Sequence, residues 1–225
     1  MSIYPILSAL LDYPDASLVA ALDEIDEALV AWPDVARELA PLVGALRGRS
    51  LIESQEEYVA TFDRNPSHSL HLFEHVHGES RERGQAMVDL LDEYRKLGFD
   101  VRANELPDYV PLFLEVLGLV DATRAQSLLD EAIHVLSAIG ERLARNASPY
   151  AGIFRVLRGL ASVEPRPLMK PPVRDMDEAL EVFGTGPDGV EPLLMRPAVQ
   201  TIRFHPRGAA GDSGRTANEH IQKGA

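Results

Sequence analysis

From Ile3 to Arg158 the apolar residues fall three and four positions apart, in runs separated by prolines, glycines and side chains that suit helix N-caps. Leu18, Leu22, Ile25 and Leu29 make one such stripe; Met87, Leu90, Leu91, Tyr94 and Leu97 another; Leu128, Leu129, Ala132, Leu136 and Ile139 a third. A spacing near 3.6 puts each set on one face of a helix and is incompatible with a strand, whose faces alternate every second residue. No convincing alternating segment and no internal repeat interrupts the pattern. It predicts an all-α fold, a single-domain helical bundle over residues 1–164.

The boundaries follow from local chemistry. IYPILSALLD is a short apolar opening, and Asp15 is placed to cap DASLVAALDEIDEALVAW. Pro33 ends that helix, and PDVARELAPLVGALRG is expected to be a weaker one, interrupted near Pro41. Ser50 with Glu53 three residues later has the capping-box pattern, with Tyr58 and Phe62 one turn apart behind it. Asp108 is expected to cap DYVPLFLEVLG, a helix apolar enough to be buried nearly all round with Glu115 its only internal charge. Asp121 opens the longest run, DATRAQSLLDEAIHVLSAIGERLARN, and Pro149 introduces YAGIFRVLRGLAS. From Pro165 onward eight prolines and seven glycines in 61 residues exclude a long helix. Residues 165–225 therefore read as an extended Pro/Gly-rich tail with one short helix at DMDEALEVF, mobile from about Arg207.

Charge and cysteine content remove several function classes. The 225 residues contain no cysteine, so thiolate metal clusters and cysteine nucleophiles are excluded. The formal net charge is -13, the wrong sign for a phosphate backbone, so no nucleic acid partner is expected. Residues 1–63 hold twelve Asp and Glu against three Lys and Arg and form an acidic pole suited to a basic or amphipathic partner. No apolar run reaches the roughly 18 to 20 residues of a membrane span, and the N-terminus lacks a signal-peptide pattern, so a cytoplasmic protein without membrane insertion is expected.

The segment HSLHLFEHVHGESRERGQAM contains four of the seven histidines within ten positions. On one helix His68, His71 and His75 would lie within roughly 60° of each other, opposite Leu70, Phe73 and Val76. A metal-dependent hydrolase using these three is thus one reading, although they do not form the HExxH arrangement of zinc hydrolases. His77 precedes Gly78, a residue suited to ending a helix in the left-handed region. Arg81 and Arg83 fall in the first turn of the next helix, where the dipole disfavours cations; Glu79 is the nearest compensation, and a binding role is the alternative. Glu115 is a second catalytic candidate if its apolar surroundings raise its pKa.

YVATFDR, LHLFEHVHGESRERGQAMVDLLDEY and ELPDYVPLFLEVL closely resemble the NarJ family, the delta subunit of respiratory nitrate reductase, over a match from about Leu7 to Arg158. The resemblance implies an all-helical, cytoplasmic chaperone of the TorD/DmsD type rather than an enzyme, with no metal or cofactor of its own. Its implied partner is the apo catalytic (alpha) subunit of a molybdenum-dependent nitrate reductase or related oxidoreductase, held through its N-terminal segment until the molybdenum cofactor is inserted. One position departs from the family's ELPDH pattern: Tyr109 stands where histidine is usual, following Glu105, Leu106, Pro107 and Asp108.

A client-binding groove needs apolar seats flanked by charge. Tyr58, Phe62, Leu72 and Phe73 are the candidate seats, with Leu112 beside them. Glu74 and Glu115 are candidates to receive basic client residues, and His75, His77, Arg81, Asp108 and Tyr109 complete the candidate site.

Overall fold

The computed structural model describes residues 2–78, 80–101 and 105–168, and within them every regular element longer than a single bridge is helical. The expected helix at DMDEALEVF and the mobile end after Arg207 lie outside the described residues.

α1 (Tyr4–Leu11) and α2 (Ala16–Leu29) are joined by a short turn in which Asp15 caps α2, its carboxylate accepting from the Leu18 amide at 2.7 Å. The whole predicted stripe, Leu18, Leu22, Ile25 and Leu29, is buried. α3 (Pro33–Gly48) runs unbroken through Pro41, which corrects the expected interruption. Pro41 lies on the exposed side, where water can hydrate the carbonyl it frees, while Leu39, Leu42, Val43 and Leu46 hold both halves of the helix in the core.

α4 (Leu51–Tyr58) begins with a complete capping box: Ser50 Oγ accepts from the Glu53 amide, and Glu53 accepts from the Ser50 amide at 2.8 Å. It widens into a π-helical turn, Val59–Asp63. A 3-10 turn, Pro66–His68, and the one-turn α5 (Glu74–His77) follow. α6 (Arg81–Lys96), α7 (Val110–Leu119), α8 (Ala122–Arg145) and α9 (Ala151–Leu160) complete the described fold.

The helices close a circuit in which α2 packs on α3, α3 on α9, α9 on α8, α8 on α7, α7 on α1, and α1 back on α2. α8 packs between α9 and α7, with Leu129, Ile133, Leu136, Ile139 and Leu143 wholly buried, each contributing roughly 2 kcal/mol of apolar burial. Two glycines set how near the helices approach. A Cβ on Gly140 of α8 would sit 2.5 Å from Phe154 Cβ on α9, and one on Gly152 of α9 would sit 2.3 Å from the Glu38 carbonyl oxygen on α3. Neither distance is compatible with a side chain, so the α8–α9 and α9–α3 crossings depend on having none.

α6 is held less firmly. Of its predicted stripe only Tyr94 is fully buried, donating its hydroxyl proton to the Pro107 carbonyl at 3.0 Å, whereas Met87, Leu90, Leu91 and Leu97 are half-buried. α7 is apolar on most sides, but Glu115 projects into solvent, so the expectation of a helix covered nearly all round and of a desolvated acid at Glu115 does not hold.

Candidate functional site: a histidine turn clamped by a buried aspartate

The histidine segment is not one helix, which overturns the arrangement the metal reading required. Asn65 starts the departure by accepting the Ser67 amide at 3.1 Å, and the chain then turns through Ser69 to Phe73 before α5. The intervening residues pair with the strand-like stretch before α7. His71 and Tyr109 form an isolated antiparallel bridge, the Leu72 amide donates to the Asp108 carbonyl at 3.0 Å, and the Val110 amide donates to the Leu70 carbonyl at 2.8 Å.

Asp108 locks the pairing. Its side chain is wholly buried, with Oδ2 accepting from the Phe73 amide at 3.1 Å and Oδ1 facing His71 Nδ1 at 3.3 Å. It is therefore a clamp between two loops and not the cap of α7, whose N-cap is Tyr109 without a side-chain cap bond. A buried carboxylate requires such donors, because leaving it unpaired in the interior is costly.

The histidines point to separate partners. His68 Nδ1 donates to the Thr61 carbonyl at 3.0 Å, and its Nε2 accepts from the Asn146 amide at 2.9 Å, so the ring is held as a neutral tautomer. Burial, with the nearby Arg142 charge, holds its pKa below the ordinary histidine value. His75 Nε2 donates to the Ser69 carbonyl at 2.8 Å and its Nδ1 accepts from Arg142 Nη1 at 2.9 Å. His71 lies tilted over Tyr109, ring centroids 5.5 Å apart. Buried His77 meets Glu82 at 3.7 Å and the edge of Phe73, and Gly78 after it adopts a φ of 56°. Among the described residues no group of three or more His, Asp or Glu is placed to hold a metal ion.

The expected pairing of Arg83 with Glu79 involves a residue outside those described; among the described residues Arg83 meets Glu74 at 2.9 Å. This ties α5 to the start of α6 and answers the dipole problem posed by Arg83. Arg81 is exposed at the same helix start.

Tyr58, Phe62, Leu72 and Phe73, expected as seats for a client, are all buried members of the core, each no more than 6% exposed. They offer almost no surface to a partner. Tyr58 packs on Phe62 and edge-on against Tyr13 and Tyr150. Tyr109 donates to Asp12 Oδ1 at 3.0 Å and shares a 3.0 Å hydrogen bond with the Tyr58 hydroxyl, which also reaches the Leu11 carbonyl at 3.2 Å. Burial raises both phenols above the ordinary tyrosine value, so both remain protonated donors at neutral pH. Tyrosine at position 109 thus links the end of α1, the end of α4 and the clamped turn. Leu112 is half-buried and Glu115 exposed on the adjoining α7.

The sequence reading missed Asp12, Thr61, Arg142 and Asn146, all of which partner residues of the turn. No local spacing signals them, because they come from helix ends and the π turn, 7 to 97 residues away in the chain.

The described residues thus form an all-α bundle whose histidine turn is fixed by hydrogen bonds to the stretch before α7. The family model described as nitrate reductase delta subunit matches residues 15–156, and the chain belongs to that family. It is 34% identical over 226 residues to the nitrate reductase molybdenum cofactor assembly chaperone NarJ of Escherichia coli K12, covering 98% of this chain and 92% of that protein. It is 39% identical over 161 residues to the probable nitrate reductase molybdenum cofactor assembly chaperone NarW of the same organism, covering 72% and 68%. A probable NarJ chaperone of Bacillus subtilis is 31% identical over 170 residues, covering 70% and 86%.

Proposed function

We propose that this chain is the cytoplasmic assembly chaperone of a molybdenum-dependent respiratory nitrate reductase or a closely related oxidoreductase. It binds the apo catalytic subunit through that subunit's N-terminal segment and keeps it receptive while the molybdenum cofactor is inserted. The observation that carries this reading is similarity to a named assembly chaperone over nearly the whole of both chains.

The clamped turn is the part of the surface best suited to the client. Its backbone is fixed by Asp108, while Glu74, Arg81, Tyr109, Leu112 and Glu115 are half-buried or exposed around it, offering both signs of charge beside apolar area. Buried Tyr58, Phe62, Leu72, Phe73 and His75 act beneath that surface as supports. His77 lies between, buried but at the turn's edge. A rigid surface of this kind loses little conformational entropy when a segment docks on it.

Calorimetric titration of the chain with a synthetic N-terminal peptide of the catalytic subunit tests the assignment. Saturable binding with a negative heat-capacity change is expected from apolar burial. If neither the peptide nor the whole apo subunit binds, the reading fails; if only the subunit binds, recognition lies outside its N-terminal segment.

The metal-dependent hydrolase reading receives no support from the geometry. It needed His68, His71 and His75 to converge, and each ring is turned toward a different protein partner.

A further inference from the structure

At the C-terminal end of α8 a cleft of about 560 Å³ is walled on one side by residues 165–168. Arg142, Arg145 and Arg166 line it together with His134 and Ser137, and Glu141 is the one acidic residue of the lining among the described residues. In a chain of net charge -13, three guanidinium groups at one cleft are a local reversal of sign. Among the described residues none of the three has a carboxylate within ion-pair distance, whereas Arg37, Arg47, Arg83, Arg124, Arg155 and Arg158 all do.

We propose that this cleft binds a multiply charged phosphoryl ligand, a diphosphate or an ester of one. Arg142 and Arg145 alone could be explained as counterweights to the negative end of the α8 dipole. That explanation does not cover the remaining groups. The Arg166 backbone amide donates to His134 Nδ1 at 3.0 Å, which leaves the ring proton of the neutral imidazole on Nε2. Burial, with the Arg166 charge, holds that imidazole's pKa below the ordinary value. Ser137 Oγ is buried and has no hydrogen-bond partner among the described residues.

The donor balance is one-sided. Arg142 uses Nη1 on the Ser67 carbonyl and His75, and Arg145 uses Nε on the Glu141 carbonyl, which leaves each guanidinium with further N–H groups. A cleft rich in N–H and O–H donors and carrying a local excess of positive charge is completed by oxygens bearing two or more negative charges. Guanidinium groups meet phosphoryl oxygens in paired, planar hydrogen bonds, and the volume suits a small molecule. A bound anion would also touch the histidine turn through Arg142, which holds Ser67 and His75.

The test is calorimetric titration of the full chain with inorganic pyrophosphate at physiological ionic strength, where weak surface attraction is screened. One saturable site with a Kd below about 1 mM is expected. Arg145→Gln and Arg166→Gln, both at exposed side chains, should each weaken it about tenfold, as should Ser137→Ala to a smaller degree. Arg37→Gln, at an exposed arginine paired with Asp34, should bind as the parent does. Citrate, of similar charge but carboxylate chemistry, should bind distinctly more weakly. Absence of saturation, parent-like binding by both arginine variants, or equal binding of citrate would each overturn the proposal. Parent-like melting of the Ser137→Ala chain separates lost binding from lost folding.

Discussion

The α3–α9–α8 side of the bundle and the histidine turn are both buried and both specific, yet they reach specificity by opposite means. Around Gly140 and Gly152 the fit is steric: two helices approach until only a hydrogen can occupy the crossing. Around Asp108 it is chemical: Phe73 donates its amide to one carboxylate oxygen and His71 faces the other. Shape holds the scaffold, and a polar clamp holds the turn proposed above as the client surface. The first should therefore fail through crowding, and the second through orphaned donors and changes of pH.

The largest effect is expected on the steric side. Gly152→Ala places a methyl group against the Glu38 carbonyl, a backbone atom that moves only if α3 moves. Overpacking of this kind costs about 3 kcal/mol, readable as a lowered urea midpoint with an unchanged slope. A neutral result would mean that α9 and α3 are not as close as this account requires.

Asp108→Ala probes the chemical side. It leaves the Phe73 amide buried without its acceptor and should cost about 2 kcal/mol in the same experiment. Asp108→Asn keeps one acceptor oxygen and should lose less. Client binding should fall further than stability in the alanine variant, because the turn is freed before the bundle unfolds. Equal losses in both would remove the distinction between scaffold and clamp.

A smaller effect is expected from pH. His68 is buried as a neutral ring, so the unfolded chain takes up its proton at a higher pH than the folded chain does. Stability is then fully present above the unfolded value near 6.5 and declines as pH falls from there toward the depressed folded value. Melting temperature followed from pH 8 to pH 5, the parent against His68→Gln, checks the sign. The variant should be less stable at pH 8 and show a shallower acid decline. Tyr109→Phe is the mildest change, removing the hydroxyl that joins Asp12 to Tyr58 for about 0.5 kcal/mol.

Legibility in the sequence divides along the same line. The stripe Leu18, Leu22, Ile25, Leu29, the Asp15 cap and the Ser50–Glu53 capping box all formed as their spacing predicts, because each is decided within a turn or two of chain. Pro41 misled, since a proline's effect depends on which side of the helix faces water. The histidine segment misled for a different reason: its structure is set by Asp108, Arg142 and Asn146, 35 to 78 residues away, and helical periodicity carries no record of such partners. Asp108 has the same spacing to its helix whether it caps that helix or clamps another loop.

The assembly role itself is tested most directly by the molybdenum content of the nitrate reductase catalytic subunit purified from cells that lack this chain and from cells resupplied with it. The account predicts a catalytic subunit made in normal amount but largely without molybdenum when the chain is missing, restored by the parent chain and poorly restored by Asp108→Ala. Full molybdenum occupancy in cells lacking the chain would contradict it.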